Sequence, residues 1–463
     1  MKRGRQVEKA RHFVALKSEA GDEMPGLTSA ERNWVTARDA ARLLGIKKET
    51  LYAYASRGLV RSVAGPGPDR ARLYHRDDLE RLKARSQARS GHGPVAAGAL
   101  RWGEPVLETR IGTIGPEGPV YRGTPALELV RQRTSFEDVC ALLWGGAFVE
   151  PQTTGLGVSA GGLRALLQPD AQPFDAMSLT AAALAAAEPR GEGIEVARLR
   201  ASALVRRLVA SCALPRGADA LDAALAAGGD RTEAAGRGSA RSRARDSRAA
   251  HVAERSDGTA RSLLVALGAR TTASTVEAMT EALVLSADHE LNASTFAARV
   301  AASTGANLAA CIVAALAALS GPQHGATTAR VEALVAEIER PERAAEIVAA
   351  RLDRGESVPG FGHPLYAGGD PRGARLLELA QRVSSKSRVV RVLVSVANAM
   401  HLVARERPTL DVGLTALAGA LALPRGAPMA VFACGRLAGW IAHGLEQREA
   451  GHLLRPRARY VGA

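Results

Sequence analysis

Aromatic side chains make up only 4% of these 463 residues, and cysteine occurs four times. With so few rings, Ala, Leu and Val must fill the core, which favours close-packed helices over an aromatic-rich β-sheet. Cys140, Cys212, Cys311 and Cys434 lie far apart and form no CxxC pair. Neither a zinc site nor a disulfide framework is indicated, no metal is expected, and a reducing cytoplasm fits. No apolar stretch reaches the ~20 residues a bilayer span requires. The longest, Ala306 to Ser320, reads as part of a buried core helix running from Ala301 to Leu319, so no membrane partner is expected. Met1-Lys2-Arg3-Gly4-Arg5 is followed by no apolar signal core, which argues against secretion.

Acidic residues are in deficit: 61 Lys and Arg face 47 Asp and Glu, a net charge of +14. Residues 1–90 alone carry roughly +9 of that excess. The asymmetry marks an appended basic module, with nucleic acid as the first candidate partner.

Residues 1–30 show no sustained periodicity and read as a flexible arm. Thr36-Ala37-Arg38-Asp39 has the form of a capping box, in which the hydroxyl accepts an amide proton and the acid follows three residues on. Ala40, Ala41, Leu43 and Leu44 supply an apolar helical face, Gly45 stops it, and Lys47 to Arg57 reads as a second helix with Leu51 and Tyr54 inward. Gly65-Pro66-Gly67-Pro68 signals a hairpin or wing, and Asp77-Asp78-Leu79 starts another short helix. Helix, tight turn, helix and wing over 31–85 is the pattern of a winged helix-turn-helix. Thr36-Ala37-Arg38-Asp39-Ala40-Ala41, Leu44-Gly45-Ile46 and Thr50-Leu51-Tyr52-Ala53-Tyr54 resemble MerR-like and excisionase-like modules. In that reading Lys47, Lys48, Thr50, Tyr52 and Arg57 face a major groove of duplex DNA, while Arg61, Arg70 and Arg72 contact phosphate. The alternative is a docking or dimerisation unit whose charges are solvated.

A Ser/Gly/Arg-rich linker, 86–98, leads into a larger domain, 99–463. It opens on an expected hairpin, Ile111-Gly112 to Val120-Tyr121, and is then almost entirely helical in pattern. Gly228 to Asp257 has no apolar stripe and reads as a solvated loop or disordered insertion.

Two turns in this domain each present a histidine among glycine and proline: Ser320-Gly321-Pro322-Gln323-His324-Gly325, and Val358-Pro359-Gly360-Phe361-Gly362-His363-Pro364-Leu365-Tyr366, which runs on to Asp370-Pro371-Arg372. Glycine lets backbone approach a ligand closely, and loops fixed by a scaffold are where chemistry concentrates. Two such turns, with an arginine beyond the second, suggest a site for an anionic carbonyl compound.

GPQHG is similar to the GPLHG of the citrate synthases, and VPGFGHPLY…DPR resembles their PGFGHRVY…DPR. Further family elements follow in the same order: Tyr121-Arg122-Gly123, Ser135-Phe136-Glu137, Ala287-Asp288-His289-Glu290-Leu291-Asn292-Ala293-Ser294, Pro408-Thr409-Leu410-Asp411, Gly439-Trp440-Ile441-Ala442-His443-Gly444-Leu445-Glu446-Gln447 and Arg455-Pro456-Arg457-Ala458-Arg459-Tyr460. The resemblance covers roughly residues 97 to 463. It implies an all-α fold of large and small helical domains, the small one at about 326–422, and condensation of an acyl-CoA with oxaloacetate followed by hydrolysis of the thioester.

That chemistry needs a base against a weakly acidic methyl group and a donor to the thioester oxygen. By motif, Asp411 resembles the base and His324 the donor, while His363 resembles the group that polarises the ketone. His289, Arg372 and Arg436 match the oxaloacetate ligands, and Arg455 matches an arginine supplied across a homodimer with a shared site. Val358, Pro359, Gly360, Phe361 and Gly362 match the CoA-binding turn; CoA is a substrate carrier here, and no cofactor is implied. His401 and His443 read as surface or satisfied core residues. Three positions depart from the family: Thr409 replaces the common Asn, Pro364-Leu365 replaces Arg-Val, and Ala367-Gly368-Gly369 lacks the basic residue before DPR. Acetyl-CoA is the expected donor. Propionyl-CoA, and a DNA-binding sensor built on the same fold, are the alternatives.

Overall fold

The computed structural model describes residues 34–57, 59–64, 71–80, 82, 107–151, 155–189, 191–228, 257–363, 365–366, 368–456, 458 and 460. The expected arm, the Gly-Pro turn at 65–68, the linker and nearly all of the 228–257 insertion lie outside the described residues. The chain divides into two units, with the main boundary between Glu108 and Thr109 and the short stretch Asp353–Glu356 grouped with the first.

The first unit begins with β1 (Trp34–Thr36), α1 (Ala37–Leu44) and α2 (Lys48–Ser56), followed by β2 (Ser62–Ala64) and β3 (Arg72–His75). The strands form an antiparallel sheet in the order β1-β3-β2, with Val35 opposite Tyr74 and Val63 opposite Leu73. Thr36 caps α1 by accepting the Asp39 amide at 3.3 Å. The expected return bond from Asp39 to backbone is replaced by a contact to the Thr36 hydroxyl at 2.7 Å. Gly45, at φ +64°, ends α1 in the left-handed region, where a side chain would be strained. Ala40, Leu51, Val60, Tyr74 and Leu79 form the core.

In the second unit β4 (Gly112–Gly115), β5 (Gly118–Tyr121) and β6 (Thr124–Pro125) form a small antiparallel sheet, which contains the expected hairpin. Everything else regular is helical: α3 (Ala126–Arg131), α4 (Phe136–Trp144), α5 (Ala160–Leu166), α6 (Pro173–Ala187), α7 (Ile194–Ser211), α8 (Ala218–Ala227), α9 (Gly258–Ala266), α10 (Ala273–Ser286), α11 (Ala293–Ser303), α12 (Leu308–Leu319), α13 (Thr327–Ile338), α14 (Ala344–Asp353), α15 (Pro371–Ser384), α16 (Arg388–Val403), α17 (Leu410–Ala420) and α18 (Ala427–Ala450). Ala301 to Leu319 is not one helix. Gly305, at φ +81°, turns the chain, and Asn307 restarts it by accepting the Ala310 amide at 2.9 Å. Two helices meeting at this corner set the direction from which the 320–326 turn leaves α12.

Helix α18 is the hub, packing on α4, α6, α7, α10, α11, α12 and α17. From Ala427 to Leu445 it is buried almost throughout, mostly on Ala, Gly and Leu, and takes Arg436 and His443 inside with it. The core is continuous from Ile111 to Leu445 and includes all four cysteines, whose thiols are free. Among the described residues, no helix is long and apolar enough to cross a membrane.

Candidate active site

The site is built where α15 and α17 begin side by side. A Cβ on Gly373 would lie 2.3 Å from the Thr409 carbonyl oxygen, so only glycine lets the first turn of α15 rest on the first residues of α17. Asp370 caps α15 by accepting the Arg372 amide at 3.1 Å, and it also accepts the Leu410 amide at 3.1 Å. The same carboxylate takes the Arg372 guanidinium through Nε at 3.0 Å and Nη2 at 2.9 Å. Both side chains are buried. Burial alone would raise the Asp370 carboxyl, but Arg372 overrides it and holds it below the usual carboxylate range. An internal carboxylate thus occupies the fork that the sequence reading offered to a ligand. Arg372 Nη1 remains buried without a hydrogen-bond partner.

Asp411 sits in the first turn of α17, where Thr409 Oγ1 donates to its Oδ2 at 3.0 Å. Burial pushes the Asp411 carboxyl up, and the Thr409 bond and the Arg372 charge pull against it. The 358–362 turn packs on the same segment: Phe361 pairs with Pro408, and Thr409 N donates to Gly360 O at 2.8 Å. Gly360 has φ +82°, and a Cβ there would lie 2.5 Å from Val412 Cγ2. Val358 and Phe361 turn their side chains into the protein.

His363 follows this turn. Its Nδ1 accepts the Leu365 amide at 3.2 Å, which in a neutral ring leaves the proton on Nε2. The His363 ring lies 5.6 Å from that of His289, nearly perpendicular. Nε2 of His289 is 2.7 Å from the Tyr366 hydroxyl, and the Arg372 guanidinium lies 5.6 Å from the Tyr366 ring centre.

His324 comes from the 320–326 turn, with Nε2 2.9 Å from Ser294 Oγ. Ser294 Oγ also accepts Trp440 Nε1–H at 3.2 Å and donates to Asn292 Oδ1 at 2.8 Å. The hydroxyl has one proton to give. While it goes to Asn292, a neutral His324 donates to Ser294 through Nε2; turned to His324, it would leave the ring proton on Nδ1. Arg436 reaches the site from α18 with Nε bonded to Ser286 O at 2.7 Å and its guanidinium 4.6 Å from the Phe432 ring centre. Phe432 in turn packs edge-on against His324. Arg436 Nη1, like its counterpart in Arg372, is buried and unpartnered.

The electrostatics follow from burial beside two guanidinium groups. His324 is pulled down to about 4 by burial and Arg436. His289 falls well below its ordinary value by burial, with Arg372, Arg436, His363 and His324 adding to it. His363 is lowered by burial, with Arg372 helping and Asp370 opposing. Burial pushes Tyr366 up to about 12 and Arg436 down to about 10. Three neutral imidazoles therefore lie beside two buried guanidinium groups, with Asp411 near Arg372, an arrangement that can hold a dianion and move protons on a carbonyl substrate.

The fold brings together His289, His324, His363, Arg372, Arg436 and Asp411, and the 358–362 turn abuts Asp411. Arg455 is exposed on the irregular stretch after α18, with no contact to the cluster among the described residues. His401 is exposed as expected. His443 is buried but not satisfied: Nε2 lies 3.3 Å from Asp288 Oδ1, and neither ring nitrogen has a hydrogen bond. Ser294, Tyr366 and Asp370 stand inside quoted motifs, but sequence alone gave them no role. Among the described residues no cluster of three or more His, Cys, Asp or Glu could hold a metal ion.

In the first unit Lys47, Lys48, Tyr52 and Arg57 are exposed along α2 and its ends, and Thr50 is half-buried. Arg61 departs from the phosphate-contact expectation. Its Nε and Nη2 bind Asp78 at 2.8 and 3.0 Å and its backbone N–H bonds the same carboxylate, so the side chain ties the sheet to the helical 76–80 stretch. Arg72 stays exposed, and Arg70 lies outside the described residues.

The family model described as citrate synthase, C-terminal domain, matches residues 99–457. The chain belongs to the citrate synthase family. A helix-turn-helix domain model matches residues 34–87. Citrate synthase 2 of Bacillus subtilis is 37% identical over 190 residues, 40% of this chain and 51% of that protein. The 2-methylcitrate synthase of Shewanella oneidensis is 33% identical over 187 residues, 40% of this chain and 50% of that protein. The chain thus spans about half the length of these curated relatives. Among solved structures, citrate synthase from Thermoplasma acidophilum, determined as a ternary complex with carboxymethyl coenzyme A and oxaloacetate, is 25% identical with a TM-score of 0.63, over 79% of this chain and 96% of that one. The family resemblance and the helical fold read from the motifs both hold.

Proposed function

We propose that this chain condenses an acyl-CoA with oxaloacetate and hydrolyses the resulting thioester, releasing free CoA. The observation that carries the reading is the pair of buried, unpartnered Nη1 groups on Arg372 and Arg436 beside three neutral histidines. A buried guanidinium without its full set of acceptors is costly, and a dicarboxylate supplies them. Asp411 takes a proton from the carbon next to the thioester, and its burial-raised carboxyl suits that task. His324 donates to the developing enolate oxygen through Nδ1 once the Ser294 proton turns from Asn292 to Nε2. The nucleophilic carbon attacks the oxaloacetate ketone, which His363 polarises through Nε2–H, and that proton passes to the new alkoxide. His289 is the remaining oxaloacetate ligand. A neutral imidazole serves as donor because its acidity is closer to that of an enol than a cation's would be. Water then cleaves the thioester.

Acetyl-CoA is the donor we favour, giving citrate; likeness to a 2-methylcitrate synthase keeps propionyl-CoA as the second candidate. The 358–362 turn serves CoA through its backbone, since its larger side chains face inward. Arg455, exposed on its own subunit, completes the site of a partner in a homodimer. The segment at about 326–422 closes over oxaloacetate and excludes water. The basic module contacts duplex DNA through Lys47, Lys48, Thr50, Tyr52 and Arg57, and the protein works in the cytoplasm. The intact set of proton-handling residues favours an enzyme over a sensor.

A thiol-release assay with oxaloacetate and either acyl-CoA, with the product mass measured, tests the reading. Free thiol together with citrate or 2-methylcitrate is expected. No thiol with either donor would remove the proposal.

A further inference from the structure

Thr409 occupies the N-cap of α17 with extended backbone angles, φ −87° and ψ 174°. Thr272, at the N-cap of α10, has nearly the same angles, φ −82° and ψ 162°, and its hydroxyl accepts the amide of Thr275. Thr36 does the same for α1. Thr409 makes no side-chain cap bond. Its hydroxyl instead turns to Asp411 Oδ2 at 3.0 Å. The start of α17 is served from elsewhere, because Asp370 takes the Leu410 amide. Thr409 itself is firmly mounted: it is buried, its N–H is held by Gly360 O at 2.8 Å, and its carbonyl lies against Gly373.

We propose that Thr409 is a positioning residue for the reaction, holding Oδ2 of Asp411 so that Oδ1 takes the substrate proton. The inference rests on reading Asp411 as the base. A threonine at an N-cap is ordinarily of most use to its own helix, worth about 1 kcal/mol. A cap hydroxyl can accept from its helix and donate to a carboxylate at once, as Thr36 does, so Thr409's forgoing the cap bond to face Asp411 makes sense where one rotamer of that carboxylate matters. A carboxylate fixed by one hydrogen bond presents its other oxygen in a single direction, which proton abstraction from a weak carbon acid requires. The bond also stabilises the ionised form and offsets part of the burial that raises this carboxyl. The charged groups facing Asp411 across the helix pair are Arg372, which favours the anion, and Asp370, which opposes it.

Thr409→Val keeps the shape and removes the hydroxyl, whereas Thr409→Ser keeps the hydroxyl. Losing a hydrogen bond to a charged group should lower kcat about tenfold or more in Thr409→Val. The KM for oxaloacetate should stay within about twofold, since Thr409 touches neither guanidinium. The acid limb of the rate profile should move to higher pH, because the base becomes easier to protonate. Thr409→Ser should restore both rate and limb. A carboxyl 13C titration of Asp411, assigned by Asp411→Asn, reads the same bond without any substrate and should show the same upward shift in Thr409→Val alone. The proposal is overturned if Thr409→Val leaves kcat and the Asp411 titration unchanged, or if Thr409→Ser is as impaired as Thr409→Val. Wild-type protein inactive with every acyl-CoA would instead count against the condensation reading, with the titration still deciding the hydrogen bond.

Discussion

Oδ2 of Asp370 stands between Arg372 Nη2, at 2.9 Å, and Leu410 N, at 3.1 Å. One buried carboxylate therefore fixes both the Arg372 guanidinium and the helix start that carries Asp411. Asp370→Asn keeps the volume but removes the charge and leaves a buried cation. Breaking a buried ion pair costs about 3–5 kcal/mol, so a stability loss of that order is expected in urea unfolding. The KM for oxaloacetate should rise at least about tenfold as Arg372 loses its mount. Unchanged stability and KM would mean the pair holds nothing together.

Ser294 decides which nitrogen of His324 carries the proton. Ser294→Ala removes the hydroxyl whose proton, turned from Asn292 to Nε2, would place the ring proton on Nδ1, so kcat should fall about tenfold or more while oxaloacetate binding stays near wild type. Steady-state kinetics with calorimetric binding of oxaloacetate would separate the two. A variant that loses binding but not turnover would reverse the assignment.

The lowered histidines predict a pH dependence of stability. The unfolded His324 ring takes up a proton below about pH 6.5, whereas the native ring stays neutral until about 4. The native state thus binds fewer protons in this window. Its stability is full above pH 6.5 and falls as the pH drops towards 4. His324→Gln should flatten that fall by up to about 1.4 kcal/mol per pH unit, read from denaturant titrations at several pH values. An unchanged slope would mean the ring is not held neutral.

The sequence was most legible where a residue type carries a chemical necessity. The turns carrying His324 and His363, and the charge of Arg436 on an apolar helix, stood out from the residues themselves, whereas the roles of Asp411 and Arg372 came from the family motif. The break between α11 and α12 was missed, since an Ala-rich run hides a Gly305 turn and an Asn307 cap. The occupation of Arg372 by Asp370 could not be read from Asp-Pro-Arg, because the fork closes only once the first turn of α15 forms. Arg61 looked like one more surface cation, and its bond to Asp78 depends on a pairing 17 residues apart.

That bond separates two kinds of basic residue in the first unit. Lys47→Ala with Lys48→Ala should weaken duplex DNA binding and flatten its dependence on salt, each lost phosphate contact removing about 0.9 from the slope of log K against log salt. Arg61→Ala should instead lower the melting temperature of the module. Fluorescence anisotropy at low and physiological salt checks the first, and calorimetry the second. No binding at low salt, even to fragments flanking its own gene, would make the module a protein-docking unit.

The central claim is that the residues His324, His363 and Asp411 are where an acyl-CoA is deprotonated and joined to oxaloacetate. Thiol release by Asp411→Ala at saturating substrates, beside calorimetric binding of oxaloacetate to the same variant, tests it most directly. Turnover should fall at least several hundredfold, roughly the contribution of a general base, with oxaloacetate bound as in the wild type. Near-wild-type thiol release from Asp411→Ala would contradict the account.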